Sequence, residues 1–268
     1  MNKRLNRHTK AFARWKEQTQ ETFEFSILIC HAVPTLKRNI RLFEKGIIDE
    51  LTAPDHYGAR EAPDDAQRER SKEQLKEISV GYKAKLSKYI LISNFSFFEA
   101  YVLDVIKEML TFHGGIDEFI KKAKARGYQN AINDEVEETR KKIRIPSRSK
   151  NPQRYFEATR ELESIKYRFP NDMFGSYGAQ MFMQKLSNMK SADIPSVLKD
   201  GLHMVIPDDV VDSYHNTRDI RNKIAHGESV ELSIKQVTEM SKLLKSIALQ
   251  LDQHLLRYFF ISENYRRN

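Results

Sequence analysis

Apolar residues recur at steps of three and four through Leu75, Ile78, Tyr82, Leu86, Tyr89, Phe95, Phe98, Val102, Val105 and Met109, ending at Gly114-Gly115. That period lines one face of an α-helix, and its length predicts a single long central helix, with any bend near Gly81. A second stripe, Ile234, Val237, Met240, Leu244, Ile247, Leu251 and Leu255, follows Ser233, whose Ser-x-x-Gln spacing to Gln236 is a capping box. Upstream of it, Pro207-Asp208-Asp209 suits a helix start, because acids complement the N-terminal dipole, and that helix runs to Gly227. The short link to Ser233 makes the last two helices antiparallel neighbours. Near the N-terminus, residues 4–20 and 21–46 read as two helices, with Phe23, Ile27, Cys30 or His31, and Leu36 along the second and Pro34 expected to kink or divide it.

Strand-type alternation and internal repeats are absent from this pattern, so the expected fold is all-α: an antiparallel helical bundle with a helical insertion. Residues 1–50 are expected as N-terminal helices packed on the bundle, 65–113 and 207–262 as its core, and 114–206 as a basic helical insertion. Pro54, Gly58 and Pro63 make 52–65 a loop. Within the insertion, Lys121, Lys122, Lys124 and Arg126 are followed by an acidic patch at Asp134, Glu135, Glu137 and Glu138. Arg140, Lys141, Lys142, Arg144, Arg148, Lys150 and Arg154 then form a stretch of seven positive charges with no acid. Phe156, Leu162, Ile165, Phe169, Met173, Phe174 and Phe182 predict a partly packed helical segment after it.

Composition narrows the function. The 268 residues carry a formal charge of +8 and a pI near 9.3, which favours polyanionic partners, nucleic acid ahead of acidic membrane. The lone Cys30 excludes a disulfide framework and any Cys-x-x-Cys site. Apolar runs stop short of the roughly 18 residues that a membrane span needs, the nearest being broken by Asn94, Glu99 and Asp104. A soluble, cytoplasmic protein without a membrane partner is expected. Lys3, Arg4, Arg7, Lys10, Arg14 and Lys16 precede the first acid, Glu17, and read as a basic surface helix. A P-loop, a G-x-G-x-x-G fingerprint, a G-x-S-x-G elbow and an H-E-x-x-H helix are all missing.

The candidate chemistry lies in Arg218-Asp219-Ile220-Arg221-Asn222-Lys223-Ile224-Ala225-His226-Gly227. At 100° per residue His215, Arg218, Asp219, Asn222 and His226 fall on one face within about 100°, opposite Val210, Thr217, Ile220 and Ile224. Gly227 suits a left-handed helix end, leaving His226 in the last turn, where the dipole favours positive charge. Arg221 and His226 lie about 140° apart on an ideal helix, so one intact helix does not aim both at one phosphate. Either the helix unwinds before Gly227 or two copies meet across a two-fold axis. Asn222, four residues before His226, is expected to orient its ring. His215 and Asp219 could share a metal but lack a third ligand, so no metal and no cofactor are expected.

Arg221-Asn222-Lys223-Ile224-Ala225-His226 fits R-x-x-x-x-H with a polar residue after the arginine, and so resembles the HEPN superfamily of small helical ribonucleases and nucleotide-binding modules. Phe98-Glu99-Ala100-Tyr101 is similar to the Phe-Glu-x-Tyr helix of HEPN domains of the RiboL-PSP type. The resemblance covers roughly residues 70–113 and 207–262. It implies a HEPN-like bundle and metal-independent endoribonuclease activity through attack by the ribose 2′-OH, in a defence or toxin setting. His226 would be the acid–base group and Arg221, beside Asn222, the phosphate contact. Glu99 would be an acid brought near the motif; its alternatives are a solvated carboxylate or an ion-pair partner of Arg218 or Arg221. Arg218 and the basic run, with Tyr155 and Phe156, are the candidate RNA-binding residues. The implied partners are RNA, a second copy in a homodimer and a neutralising protein. One branch of the family modifies a tyrosine two residues after the histidine; Glu228 stands there, so that control does not carry over. A catalytically inactive HEPN module that binds RNA or a protein is the competing reading.

Overall fold

The computed structural model describes residues 8–49, 51, 73–131, 141–142, 145–164 and 171–260, and every regular element among them is helical. The expected loop at 52–65 and the acidic patch at 134–138 lie outside the described residues.

Helix α1, Lys10–Glu44, is one helix where two were expected. Residues 17–24 hold no Gly or Pro to break it. Pro34 sits inside at an exposed position, where water can take up the carbonyl that the missing N–H would have served. Its start is fixed strongly. Thr9 Oγ1 accepts from the Phe12 N–H at 3.1 Å, and Asp252 Oδ1 accepts from the Thr9 N–H at 3.0 Å and from the Thr9 hydroxyl at 2.6 Å. The other carboxylate oxygen of the fully buried Asp252 lies 2.7 Å from His8 Nδ1. Phe12 and Trp15 pack on Tyr101, whose hydroxyl donates to the Ala248 carbonyl at 3.0 Å.

The predicted rod is interrupted at Gly81. Its φ of +68° is a left-handed conformation that glycine adopts without strain, and it separates the helical stretch 73–79 from α2, Tyr82–Phe112. Leu86, Leu91, Phe95, Phe98, Val102, Val105 and Met109 are buried as one face of α2, whereas Ile78 and Tyr89, expected on that face, are exposed. By length and composition α2 could cross a membrane, with mean hydropathy 1.4 over 18 residues. Its apolar face is accounted for by the bundle core that it forms.

The chain divides into two compact units, residues 1–106 with 191–268, and residues 107–190. In the second, α3 (Ile116–Ala131) packs on α6 (Asn171–Ser187), and α4 (Ile145–Lys150) on α5 (Pro152–Ser164). Ala158, Ser176 and Leu186 are buried there, but Phe156 and Phe174, expected to pack, are exposed. Ile165 and Phe169 lie outside the described residues. In the first unit, the single helical turns of Ser191–Gly201 lead to an irregular stretch where Leu202, Met204 and Ile206 are buried and Val205 is exposed. Helices α7, Asp208–Ala225, and α8, Ile234–Tyr258, complete it; the capping box of Ser233 and Gln236 is formed as expected.

Asp252→Ala should destabilise the protein by about 3 kcal/mol in urea denaturation, because the Thr9 N–H and hydroxyl would remain buried without their acceptor.

Candidate functional site

Helix α7 meets the core through Tyr214 and Thr217, both buried, while Ile220 and Ile224 pack against Leu91, Leu232 and Val237. Tyr214 was not anticipated. Its ring lies 5.6 Å from that of Phe95 and 6.0 Å from that of Phe98, and its hydroxyl donates to the Ser191 carbonyl at 2.8 Å. Burial first, and then the nearby Glu99 carboxylate, pushes the Tyr214 hydroxyl well above its ordinary pKa, partly offset by Arg218 and Arg221.

Seven residues after Tyr214, on the same helix face, comes Arg221. Its guanidinium lies over the Phe95 ring, 4.6 Å from the centroid, a favourable cation–π geometry. One terminal nitrogen forms an ion pair with Glu99 Oε2 on α2, and the other donates to Asn222 Oδ1 at 3.0 Å. Nε is buried and has no acceptor among the described residues. Of the alternatives for Glu99, the geometry therefore selects the ion pair with Arg221. Asn222, expected to orient the His226 ring, instead places its side-chain oxygen on Arg221.

Arg218 is also engaged. Nε and a terminal nitrogen donate to Asp219 Oδ1 at 2.9 and 2.6 Å, and the second terminal nitrogen lies 3.1 Å from His215 Nδ1. The guanidinium thus occupies the space between His215 and Asp219 in which a shared metal would sit.

Helix α7 stays intact through Ala225. His226 is its C-cap, donating its N–H to the Asn222 carbonyl at 2.9 Å. The Gly227 N–H donates to Ile224 and that of Glu228 to Lys223, the paired bonds of a Schellman motif, made possible by the Gly227 φ of +79°. Unwinding before Gly227, one of the two ways of bringing Arg221 and His226 together, does not occur. The His226 side chain is exposed, while Arg221 is held against α2.

In the basic run, Lys141, Arg148, Lys150 and Arg154 are exposed and Lys142 half-buried; Arg140 and Arg144 lie outside the described residues. The Arg148 guanidinium lies 5.5 Å from the Tyr155 ring, which meets Phe156 edge-on at 5.8 Å. This group belongs to the second unit, and the Arg221 cluster to the first.

An all-helical bundle is the class of fold that these elements define. A family model described as RiboL-PSP-HEPN matches residues 64–257, most of the 268, and the chain belongs to that family. That span includes the block 114–206. The family's domains are ribonucleases or nucleotide-binding modules, and this is the functional range the match supports. Comparisons with curated proteins and with solved structures found no match.

Phe95 and Tyr214 were the site residues missed from sequence. Phe95 is four residues before Glu99 and Tyr214 seven before Arg221, so helical spacing alone would have placed each beside its partner.

The raised Tyr214 pKa has a definite sign. Tyr214 stays protonated in the folded chain at a pH where the unfolded chain, with an ordinary value near 10, ionises. Stability contributed by the neutral hydroxyl is therefore full below pH 10 and falls as pH rises through it, by up to about 1.4 kcal/mol per unit. Tyr214→Phe should remove that part of the alkaline loss, read as a shallower fall in urea-unfolding free energy between pH 9.5 and 11.

Proposed function

We propose that the protein is a metal-independent endoribonuclease of HEPN type, acting in defence or as a toxin. The observation that carries this reading is the pairing of a preorganised Arg221, set by Glu99, Phe95 and Asn222, with an exposed His226 at the end of the same helix. A planar guanidinium suits a phosphate bidentately, and charge developing on a phosphorane draws it more strongly than the ground state does. The imidazole of His226 takes the proton of the ribose 2′-OH or supplies one to the 5′ oxygen. Attack of O2′ on phosphorus and departure of the 5′ oxygen then leave a 2′,3′-cyclic phosphate and a 5′-hydroxyl. With α7 intact, the two groups diverge by about 140°, which supports a composite site in which His226 of one copy works with Arg221 of another. Arg148, Lys150 and Arg154, with Tyr155 and Phe156 available for stacking, give the second unit an RNA contact of its own in this proposal.

One observation favours a second reading. The charge of Arg221 is already met by Glu99, as it would be in an inactive module that binds RNA or a protein. Incubation with mixed RNA in EDTA separates the two. His226→Ala should lower cleavage by about 10² to 10⁴-fold with RNA affinity nearly unchanged, since the exposed ring holds no part of the core. Cleavage at the wild-type rate by that variant would leave the binding module as the function.

Charge reversal at Arg148, Lys150 and Arg154 should act differently, weakening RNA binding with the single-turnover rate at saturation unchanged. The slope of log K against log salt should flatten by about 0.7 for each phosphate that the protein no longer neutralises. An unchanged slope would remove this stretch from the RNA interface.

A further inference from the structure

The C-terminal part of helix α1 carries positive charge that the described residues around it leave uncompensated. A cavity of about 390 Å³ is lined by Pro34, Lys37, Arg38, Arg41, Leu42 and Lys45. At 100° and 1.5 Å per residue its four bases fall within about 100° of one another and span about 12 Å. Arg38, Arg41 and Lys45 are exposed and Lys37 is half-buried. Between Glu24 and Asp49 the sequence holds one acid, Glu44, and its carboxylate is taken by Lys76 Nζ at 2.6 Å. None of the four bases makes an ion pair or a side-chain hydrogen bond among the described residues. The helix dipole explains only part of this grouping. It favours bases in the last turn, which covers Arg41 and the C-cap Lys45 but not Lys37 and Arg38. Lys37 with Arg41 and Arg41 with Lys45 are like-charge i,i+4 pairs, which destabilise a helix, and a bound anion relieves both.

We propose that this groove binds the phosphate backbone of an RNA strand, in addition to the contacts made by Arg221 and by the basic run of the second unit. Lys37, Arg41 and Lys45 follow one another at steps of about 6 Å along the helix, with Arg38 beside them, so that a row of phosphates meets a row of bases. The lysines act as point charges, and the arginine guanidinia can take two phosphate oxygens each. A small anion would engage one or two of these groups, whereas a polymer of phosphates engages all four. A lipid surface would be held by apolar insertion beside the charges, and the apolar members of the groove are only Pro34 and the half-buried Leu42. Such a contact holds and orients the strand without reading its sequence. The inference rests on RNA being the ligand, in either the nuclease or the binding-module reading. The groove lies outside residues 64–257, so it adds to the surface of the matched domain.

Fluorescence anisotropy of the full chain with a labelled 2′-O-methyl RNA, which has no free 2′-OH to attack, measures binding apart from cleavage. Lys37→Gln, Arg38→Gln, Arg41→Gln and Lys45→Gln together should raise the dissociation constant about 10-fold or more, with circular dichroism unchanged. The slope of log K against log salt should flatten by about 2 to 3, at about 0.7 for each of three or four phosphates. Gln at Lys83, Lys85, Lys235 and Lys245, exposed bases elsewhere on the same unit, removes equal charge and should shift the constant by no more than about twofold. Bound RNA should also protect Lys37 and Lys45 of the wild type from acetylation, read by mass spectrometry. An equal loss in the two variants, an unchanged slope or unprotected lysines would each overturn the groove as an RNA contact. So would binding to anionic phospholipid vesicles that depends on the same four bases while RNA affinity does not. A wild type that binds no RNA would overturn the groove together with the RNA reading, whereas a wild type that cleaves RNA beside an α1 variant of equal affinity would overturn the groove alone.

Discussion

The first unit depends on one face of α2. Leu91, Phe95, Phe98, Val102 and Val105 are wholly buried there, and the other elements take their positions by covering them: Tyr214 of α7 on the two phenylalanine rings, Leu232 and Val237 of the next link and helix on Leu91, and Tyr101 reaching the backbone of α8. Large rings dominate the energetics of such a core, each burying on the order of 200 Å². Ser87 is the buried polar residue of α2, its hydroxyl donating to the Lys83 carbonyl at 2.8 Å. Glu99 and Asn94 lie along it, Asn94 Nδ2 donating to Ser241 on α8 at 2.9 Å and Glu99 meeting Arg221 on α7.

The candidate site and the core therefore share parts. Phe95 is at once a core ring and the surface over which the Arg221 guanidinium rests, and Tyr214 is both an anchor of α7 and a neighbour of the Glu99 carboxylate. Arg221 is confined from three sides, by a ring, a carboxylate and an amide, so its direction is set before any ligand arrives. The family match gives this arrangement its setting, while the reaction itself is a proposal argued from the chemistry of Arg221 and His226.

Much of this was legible in the sequence because helical period is a local signal. The stripes of α2 and α8, the capping box at Ser233 and the glycine stop at Gly227 all follow from residues within a few turns of one another. Partners chosen across the fold were harder. Asn222 could serve either of two neighbours from its place on the helix, and the proximity of Glu99 and Phe95 decided for Arg221. Pro34 signalled a break that did not occur, since a proline penalty is small where the deprived carbonyl faces water, whereas Gly81 signalled a bend and delivered a full interruption. Exposure of Tyr89 and Phe156 shows the limit of periodicity: it says which residues share a face, and not how far the covering element extends.

Both ends of the link between α7 and α8 are anchored by backbone geometry, at one side by the left-handed Gly227 and at the other by the buried Leu232 and the Ser233 cap. Between these anchors Glu228, Ser229 and Glu231 are exposed and Val230 half-buried. Chain length can change there at little cost, as loop entropy grows only slowly with added residues. Insertion or deletion there would change what approaches His226 while leaving the bundle and Arg221 in place.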